Sequence, residues 1–370
     1  MPKWLRMFAL PLVALSLVAA ACGDDEGSGD GGGEPTDGAA AECNSDLTVG
    51  VALDVGGLGD NGFNDLSEIG LNQAIADGVV CEENTEFIEA NSEGTNLDEN
   101  TQSLAEAGYD VVIGTGFAFT PGINAIAPDY PETSFGIIDG YATCGTACGL
   151  DNEADAIPNV TDLAFQEEQG SFLVGVAGGL KAQELNCDTV GFLGGQIGPL
   201  IAKFEAGFVA GVAEVAPDVE VLVEYIGDTT KAFDDPTQGE ALSNKMFDNG
   251  ACIIYHAAGD SGNGLFKAAA EQQLIAIGVD SDQHEVVSPE QAEWIMTSMI
   301  KRVDTAVYDA IVSVSDGSFK GGVGQVFGLA DEGISYATSN PDLMGQDIVD
   351  QVEEYKQQIL DGEIKVPTEP

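Results

Sequence analysis

The sequence predicts an α/β chain of two successive lobes with a ligand cleft between them, on three observations. About 325 of the 370 residues follow a low-complexity N-terminal stretch, more than one hydrophobic core usually holds. Short apolar runs alternate with segments of helical periodicity, the pattern of parallel sheets covered by helices. The alternation then restarts near Gln169, as a second unit of the same kind would.

Leu47 to Leu53 (LTVGVAL) reads as the first strand, and Gly62 to Asp77 as a helix with Phe63, Leu66, Ile69 and Ala74 on one side. Thr85 to Ala90, Asp110 to Gly114 and Ser134 to Asp139 read as strands, with helices over Leu97 to Ala107 and Thr120 to Tyr130 between them. Asn159 to Phe165 reads as a further strand that crosses over. The second round has helices at Gln169 to Gln183, Pro199 to Val215, Pro236 to Asn249 and Gly264 to Gln272. Its strands are Thr189 to Leu193, Glu220 to Tyr225, Ala251 to His256 and Leu274 to Val279. Met296 to Val314 is predicted as one long helix, followed by short strands at Gln325 to Gly328 and Ile334 to Tyr336. The expected N-terminal lobe is therefore residues 45–158 plus about 284–318, and the C-terminal lobe 159–283 plus about 319–370.

The N-terminus carries export signals. Lys3 and Arg6 precede an apolar run from Met7 to Ala21, too short to span a bilayer and suited to a signal peptide over 1–21. Small residues then meet Cys22, an arrangement that resembles a bacterial lipobox, with Ala19 where Leu is usual. Lipid on the Cys22 thiol would anchor the chain to the outer face of a membrane. The acidic, Gly-rich linker to residue 44 has no aromatic residue and reads as a flexible leash. Of 7 cysteines, the lipidated one leaves an even set. Outside the cell that suggests disulfides, with Cys43–Cys81, Cys144–Cys148 and Cys187–Cys252 chosen because each pair falls within one lobe. A zinc site is disfavoured, because the two histidines lie far from any matching cysteine spacing.

With 12 Lys and Arg against 63 Asp and Glu, the formal charge is −51. Such a surface repels nucleic acid and anionic solutes at long range and points to a neutral or cationic ligand. It also fits a saline habitat, where screening shortens the repulsion to a few Å.

In open parallel sheets ligands sit beyond the C-terminal strand ends. Asp60, Phe63 and Asn64 follow the first strand, Phe117 lies in the stretch Gly114 to Phe119 after the third, and Asp139 ends the fourth. Gly259 opens the turn GDSGNG (259–264), and Asp280 follows Val279. That turn lacks a P-loop Lys, and Asp260 would repel phosphate, so close backbone approach to a neutral ligand fits it better. Asp60, Asp139 and Asp280 could form a metal or acid/base cluster, cap helices, or accept hydrogen bonds from ligand OH and NH groups; the last is favoured. Phe63 and Phe204 are core residues or stacking platforms. Lys301, a scarce cation, is expected to pair with Asp280 or a ligand hydroxyl. His256 reads as a structural hydrogen-bonding residue. No hydrolase motif appears, and neither a catalytic residue nor a cofactor is expected.

These residues sit in stretches that resemble the basic membrane protein family, the purine nucleoside receptor type of ABC-transporter solute-binding lipoproteins. The stretches are GGLGDNGFND (56–65), DVVIGTGFAFTPGI (110–123), FGIIDG (135–140), QGSFLVGVAGGL (169–180), YHAAGDSGNGLFKAA (255–269), IGVDSDQ (277–283) and TSMIKRVDTAVYDAI (297–311). Between them runs VGFLGGQIGPLIAKFEAGFVAGV, beginning at Val190. The resemblance implies a type I periplasmic-binding fold, two Rossmann-like lobes joined by three crossovers. It implies a nucleoside whose base lies between Phe63 and Phe204, with Asn64 and Asp139 at the base edge. Asp60, Gly259, Asp280 and Lys301 map onto ribose contacts. Permease and ATPase subunits would be partners, and the receptor itself a monomer. Two departures stand out: Asn61-Gly62 where Lys-Ser often precedes the Phe-Asn pair, and Asp260 where the turn usually continues with Gly. A sugar receptor and an extracellular nucleosidase are the alternatives.

Mass spectrometry of the mature protein from membranes is expected to find Cys22 acylated at the N-terminus, and Cys22→Ala should release the protein into the soluble fraction. An unmodified terminus elsewhere would reject the anchor.

Overall fold

The computed structural model describes Cys43 and residues 45–142, 157–322 and 324–370. The signal peptide, Cys22, all of the leash but Cys43, and the Cys144–Cys148 pair lie outside the described residues. The chain enters with β1 (Val49–Leu53), α1 (Phe63–Ala76), β2 (Thr85–Glu89), α2 (Leu97–Ala107), β3 (Val111–Thr115), α3 (Thr120–Ile126), β4 (Ser134–Ile138) and β5 (Val160–Phe165). It continues with α4 (Glu167–Leu185), β6 (Thr189–Gln196), α5 (Pro199–Val215), β7 (Glu220–Gly227), α6 (Pro236–Asp248), β8 (Ile253–Ala257), α7 (Asn263–Gln272) and β9 (Ile275–Asp280). Single turns α8 (Gln283–Val286) and α9 (Pro289–Ala292) lead to β10 (Ile295–Lys301). The last elements are α10 (Val303–Ser315), β11 (Gln325–Phe327), β12 (Ile334–Tyr336) and α11 (Gln346–Leu360).

Two sheets result, ordered β11-β5-β4-β3-β1-β2 and β12-β10-β9-β8-β6-β7. Every pairing is parallel except β10 with β12. Helices cover both faces, so β1, β3, β8 and β9 are buried throughout and read as unbroken apolar runs. The chain passes between lobes at β5–α4, β10–α10 and β11–β12, which are the three crossovers of the expected type I architecture.

Strand pairing moves the lobe boundaries. β5 lies in the first sheet, although residue 159 was expected to open the second lobe. β10 lies in the second sheet, although 284–318 was assigned to the first lobe. The expected helix over Met296 to Val314 is strand β10 followed by helix α10. The reason is physical: β10 is covered on both faces, so it shows no alternation, and its Met and Ile spacing fits a helix equally well. Helix α11 was not foreseen.

Cys43–Cys81 and Cys187–Cys252 are bonded as expected, with Cα separations of 5.5 and 6.4 Å. Helices α4 and α5 form the most extensive helix contact. Glycines permit it: a Cβ at Gly211 would run into the carbonyl oxygen of Phe172. Intrinsic propensity favours Ala over Gly in a helix by about 1 kcal/mol. Overpacking costs about 1–3 kcal/mol, and the obstacle here is backbone that cannot rotate aside. Gly211→Ala is therefore expected to lower the melting temperature in a circular dichroism melt; an unchanged or raised value would show that the helices can part without cost.

Candidate functional site

A cleft between the lobes opens at the C-terminal ends of both sheets. Asp60, Phe63, Asn64, Phe117 and Asp139 line it from the first lobe; Phe204, Gly259, Asp280 and Lys301 line it from the second. All nine residues singled out from the sequence thus face one cavity. Leu200, Ile201 and Phe233 add apolar wall.

Lys301 ends β10 and is 1% exposed in its side chain. Its Nζ lies 2.5 Å from Asp139 Oδ2 and 3.6 Å from Glu167 Oε1. The fixed partner is therefore Asp139, not the expected Asp280, which touches Lys301 only through its field. Phe63, Phe165 and Phe204 surround the ammonium, their ring centres 5.0, 4.9 and 5.5 Å away. Burial alone would depress the Lys301 ammonium, but Asp139, Glu167 and Asp280 outweigh it and raise its pKa. Glu167 also accepts from Lys203 Nζ at 3.0 Å, and Lys203 donates to the Phe165 carbonyl at 3.3 Å.

The other polar residues divide by whether their atoms are already used. Asp60 Oδ1 accepts from the N–H groups of Gly62 and Asp65, and Oδ2 from the N–H and Nδ2 of Asn64. It caps α1. Asn64 Oδ1 accepts from the Asp54 N–H at 2.9 Å, and its Nδ2 donates to Asp60 and to the Val55 carbonyl. Both residues line the cleft with their polar atoms committed inside the protein. By contrast, Asp139 Oδ1 is buried with no hydrogen-bond partner among the described residues. Asp280 is 6% exposed and forms no side-chain hydrogen bond among them. Both residues take left-handed backbone, φ 61 and 67, at the ends of β4 and β9, a conformation Asp tolerates better than most.

The sequence reading missed Asp54. It follows β1 directly, lines the cleft, and accepts the Val55 N–H on Oδ1 at 2.8 Å, while no hydrogen bond among the described residues uses Oδ2. A signal existed: β1, β4 and β9 each run into an Asp at their C-terminal end (Asp54, Asp139, Asp280). Glu167, Lys203 and Phe233 were also missed. His256 stands outside the cleft lining; its Nε2 is 2.9 Å from Gln283 Oε1, and burial pushes its pKa down to about 4. Among the described residues, no group of three His, Cys, Asp or Glu side chains is placed to hold a metal ion.

Burial pushes the carboxyl pKa of Asp54 and Asp280 up to about 7, and that of Asp60 and Asp139 up to about 6. A folded-state pKa above the unfolded value of ~4 means that the native state holds more protons in between. The ligand-free protein is therefore expected to gain stability as pH falls from about 7 toward 4, and to lose it as pH rises. Urea midpoints at pH 5 and pH 8 should show this, and Asp54→Asn should flatten the difference. Equal midpoints in the wild type would refute it.

Comparison with known proteins agrees with this geometry. Residues 47–369 match the family described as ABC transporter substrate-binding protein PnrA-like. The chain is 33% identical to the CD4+ T-cell-stimulating antigen of Listeria innocua, over 99% of both chains. It is 28% identical to the ABC transporter nucleoside-binding protein BmpA of Lactococcus lactis, over 98% of this chain and 99% of that one. A crystal structure of ABC transporter solute-binding proteins from Aeropyrum pernix superposes with a TM-score of 0.72 at 26% identity, covering 87% of this chain and 93% of the other. The chain belongs to the PnrA-like family of ABC transporter substrate-binding proteins.

Proposed function

We propose that this receptor takes a neutral nucleoside, a purine nucleoside foremost, and delivers it to the permease and ATPase subunits of an importer. In this reading it works as a monomer, as a receptor and not as an enzyme, tethered through lipid on Cys22 to the extracytoplasmic face of the membrane. Among the described residues no helix is long and apolar enough to cross a membrane. The carrying observation is the pairing of two chemistries in one cleft. Phe63 and Phe204 offer aromatic surface to a base, while Asp54 Oδ2, Asp139 Oδ1 and the Asp280 carboxylate are unspent acceptors for several ligand donors. A free sugar would use the acceptors but has no planar ring to stack on the aromatic walls. The name of the Lactococcus relative supports the same reading.

Charge narrows the choice. Lys301 is already neutralised by Asp139 and Glu167, so among the described residues lining the cleft no cation is left for a phosphate. Nucleoside monophosphates should be excluded, because a buried anion without a partner is costly.

Calorimetry against inosine, guanosine, adenosine, cytidine and uridine tests the proposal, with ribose and inosine monophosphate as controls. Binding of at least one nucleoside, and of neither control, is expected. Phe204→Ala should weaken that binding by about 1–3 kcal/mol, the worth of one stacked base. Ribose binding as tightly as the nucleosides would favour the sugar reading, and release of free base would favour a nucleosidase.

A further inference from the structure

Hydrogen bonds cross between the lobes beside the cleft, from residues that do not line it. Asn61, in the loop between β1 and α1, takes left-handed backbone with φ 59. Its N–H donates to Asp65 Oδ2 at 2.9 Å within its own lobe. Its remaining groups reach across. The carbonyl accepts from Ser281 Oγ at 2.6 Å and Gln283 Nε2 at 3.3 Å, and Nδ2 donates to Asn263 Oδ1 at 3.2 Å. Asn263 Nδ2 donates to the Asp60 carbonyl at 3.4 Å and to Asp260 Oδ1 at 2.8 Å. Gln283 is itself fixed, because its Oε1 binds the Val279 N–H at 2.8 Å and His256 Nε2 at 2.9 Å. One residue of the first lobe is thus gripped by three of the second.

Both departures from the family pattern, Asn61 and Asp260, meet here through Asn263. Neither they nor Asn263 and Ser281 line the cleft. The groups spanning the gap are uncharged amides, carbonyls and a hydroxyl. Elsewhere at the mouth stands a cross-lobe contact of a different kind, the exposed ion pair of Lys231 with Glu93. Exposed pairs contribute little and are screened by salt; short-range hydrogen bonds between neutral groups are not.

We propose that Asn61, held by Asn263, Ser281 and Gln283 and braced by Asp260, is a clasp that sets how long the lobes stay closed on a bound solute. These are positioning residues: they act on the solute through closure and not by touching it. The proposal rests on the solute-receptor reading but not on the identity of the solute.

The test compares wild type with the Asn263→Ala/Ser281→Ala double variant and with Asn61→Gly, which keeps the left-handed backbone and removes only the Nδ2 bond. Stopped-flow dissociation of inosine, and X-ray scattering of each protein with and without inosine, are the readouts. The double variant is expected to release inosine roughly tenfold faster, with association changed far less, as loss of closed-state contacts requires. Asn61→Gly should fall between, and Ser281→Thr, which keeps the hydroxyl, should behave as wild type. The acceleration should persist in high salt. Release rates within twofold of wild type in folded variants would overturn the clasp. If wild type binds none of the five nucleosides, the nucleoside proposal fails and scattering decides the clasp alone. A ligand-free double variant more open than ligand-free wild type supports it; superimposable curves overturn it. Should the double variant not fold, Asn61→Gly carries the same comparison.

Discussion

The ammonium of Lys301 has to be neutralised where the chain passes from one lobe to the other, and much of the architecture follows from that requirement. Lys301 ends β10 at one crossover, and Glu167 opens α4 at another. Phe165, whose ring lies against the ammonium, ends β5 and stacks on Phe327 at 5.0 Å, the last residue of β11 before the third crossover. One charge thus draws all three connections into a common packing unit. A buried ion pair adds little net stability over an apolar replacement, but removing one partner costs about 3–5 kcal/mol. The cluster therefore acts less as a source of stability than as a constraint on where β4, β10 and α4 can lie.

The same charge governs the chemistry of the cleft. Asp54, Asp60 and Asp139 come from the first lobe, and Asp280 and Glu167 from the second. Closing an empty cleft brings these carboxylates together in a setting with little water, and burial raises their pKa values. Among the charges that line the cleft, Lys301 with Asp139 is an attraction that crosses the gap. It leaves Asp280, one oxygen of Asp54 and one oxygen of Asp139 without hydrogen-bond donors among the described residues, a need that a solute rich in OH and NH groups would meet.

How much of this could be read in advance depended on burial. Strands covered on both faces, such as VGVAL in β1 and IAIGVD in β9, were legible as apolar runs between turns. The same property hid β10, whose IMTSMIK carries no alternation to separate strand from helix. Lobe membership of β5 and β10 was not legible because chain order does not reveal which sheet a strand joins. Asp139 and Asp280 were found because they end strands, and the same rule applied evenly would have found Asp54. Helical spacing left Phe63 and Phe204 as core residues or stacking platforms, and the family resemblance supplied their pairing on either side of a base. The commitment of Asp60 and Asn64 to each other was invisible in a string, where four residues of separation look the same whether the side chains meet or not.

The acidity of the chain bears on how such a receptor can close at all. With a formal charge of −51, bringing two lobes together works against long-range repulsion that weakens only as salt shortens the Debye length. Ion pairs across the mouth would be screened by the same salt that permits closure. Hydrogen bonds among Asn61, Asn263, Ser281 and Gln283 act at contact distance and are indifferent to that screening. An acidic receptor built this way can let salt reduce the cost of approach while neutral groups hold the closed state. The contact between Lys301 and Asp139 is a charged one shielded from salt by burial, both side chains being almost wholly inaccessible.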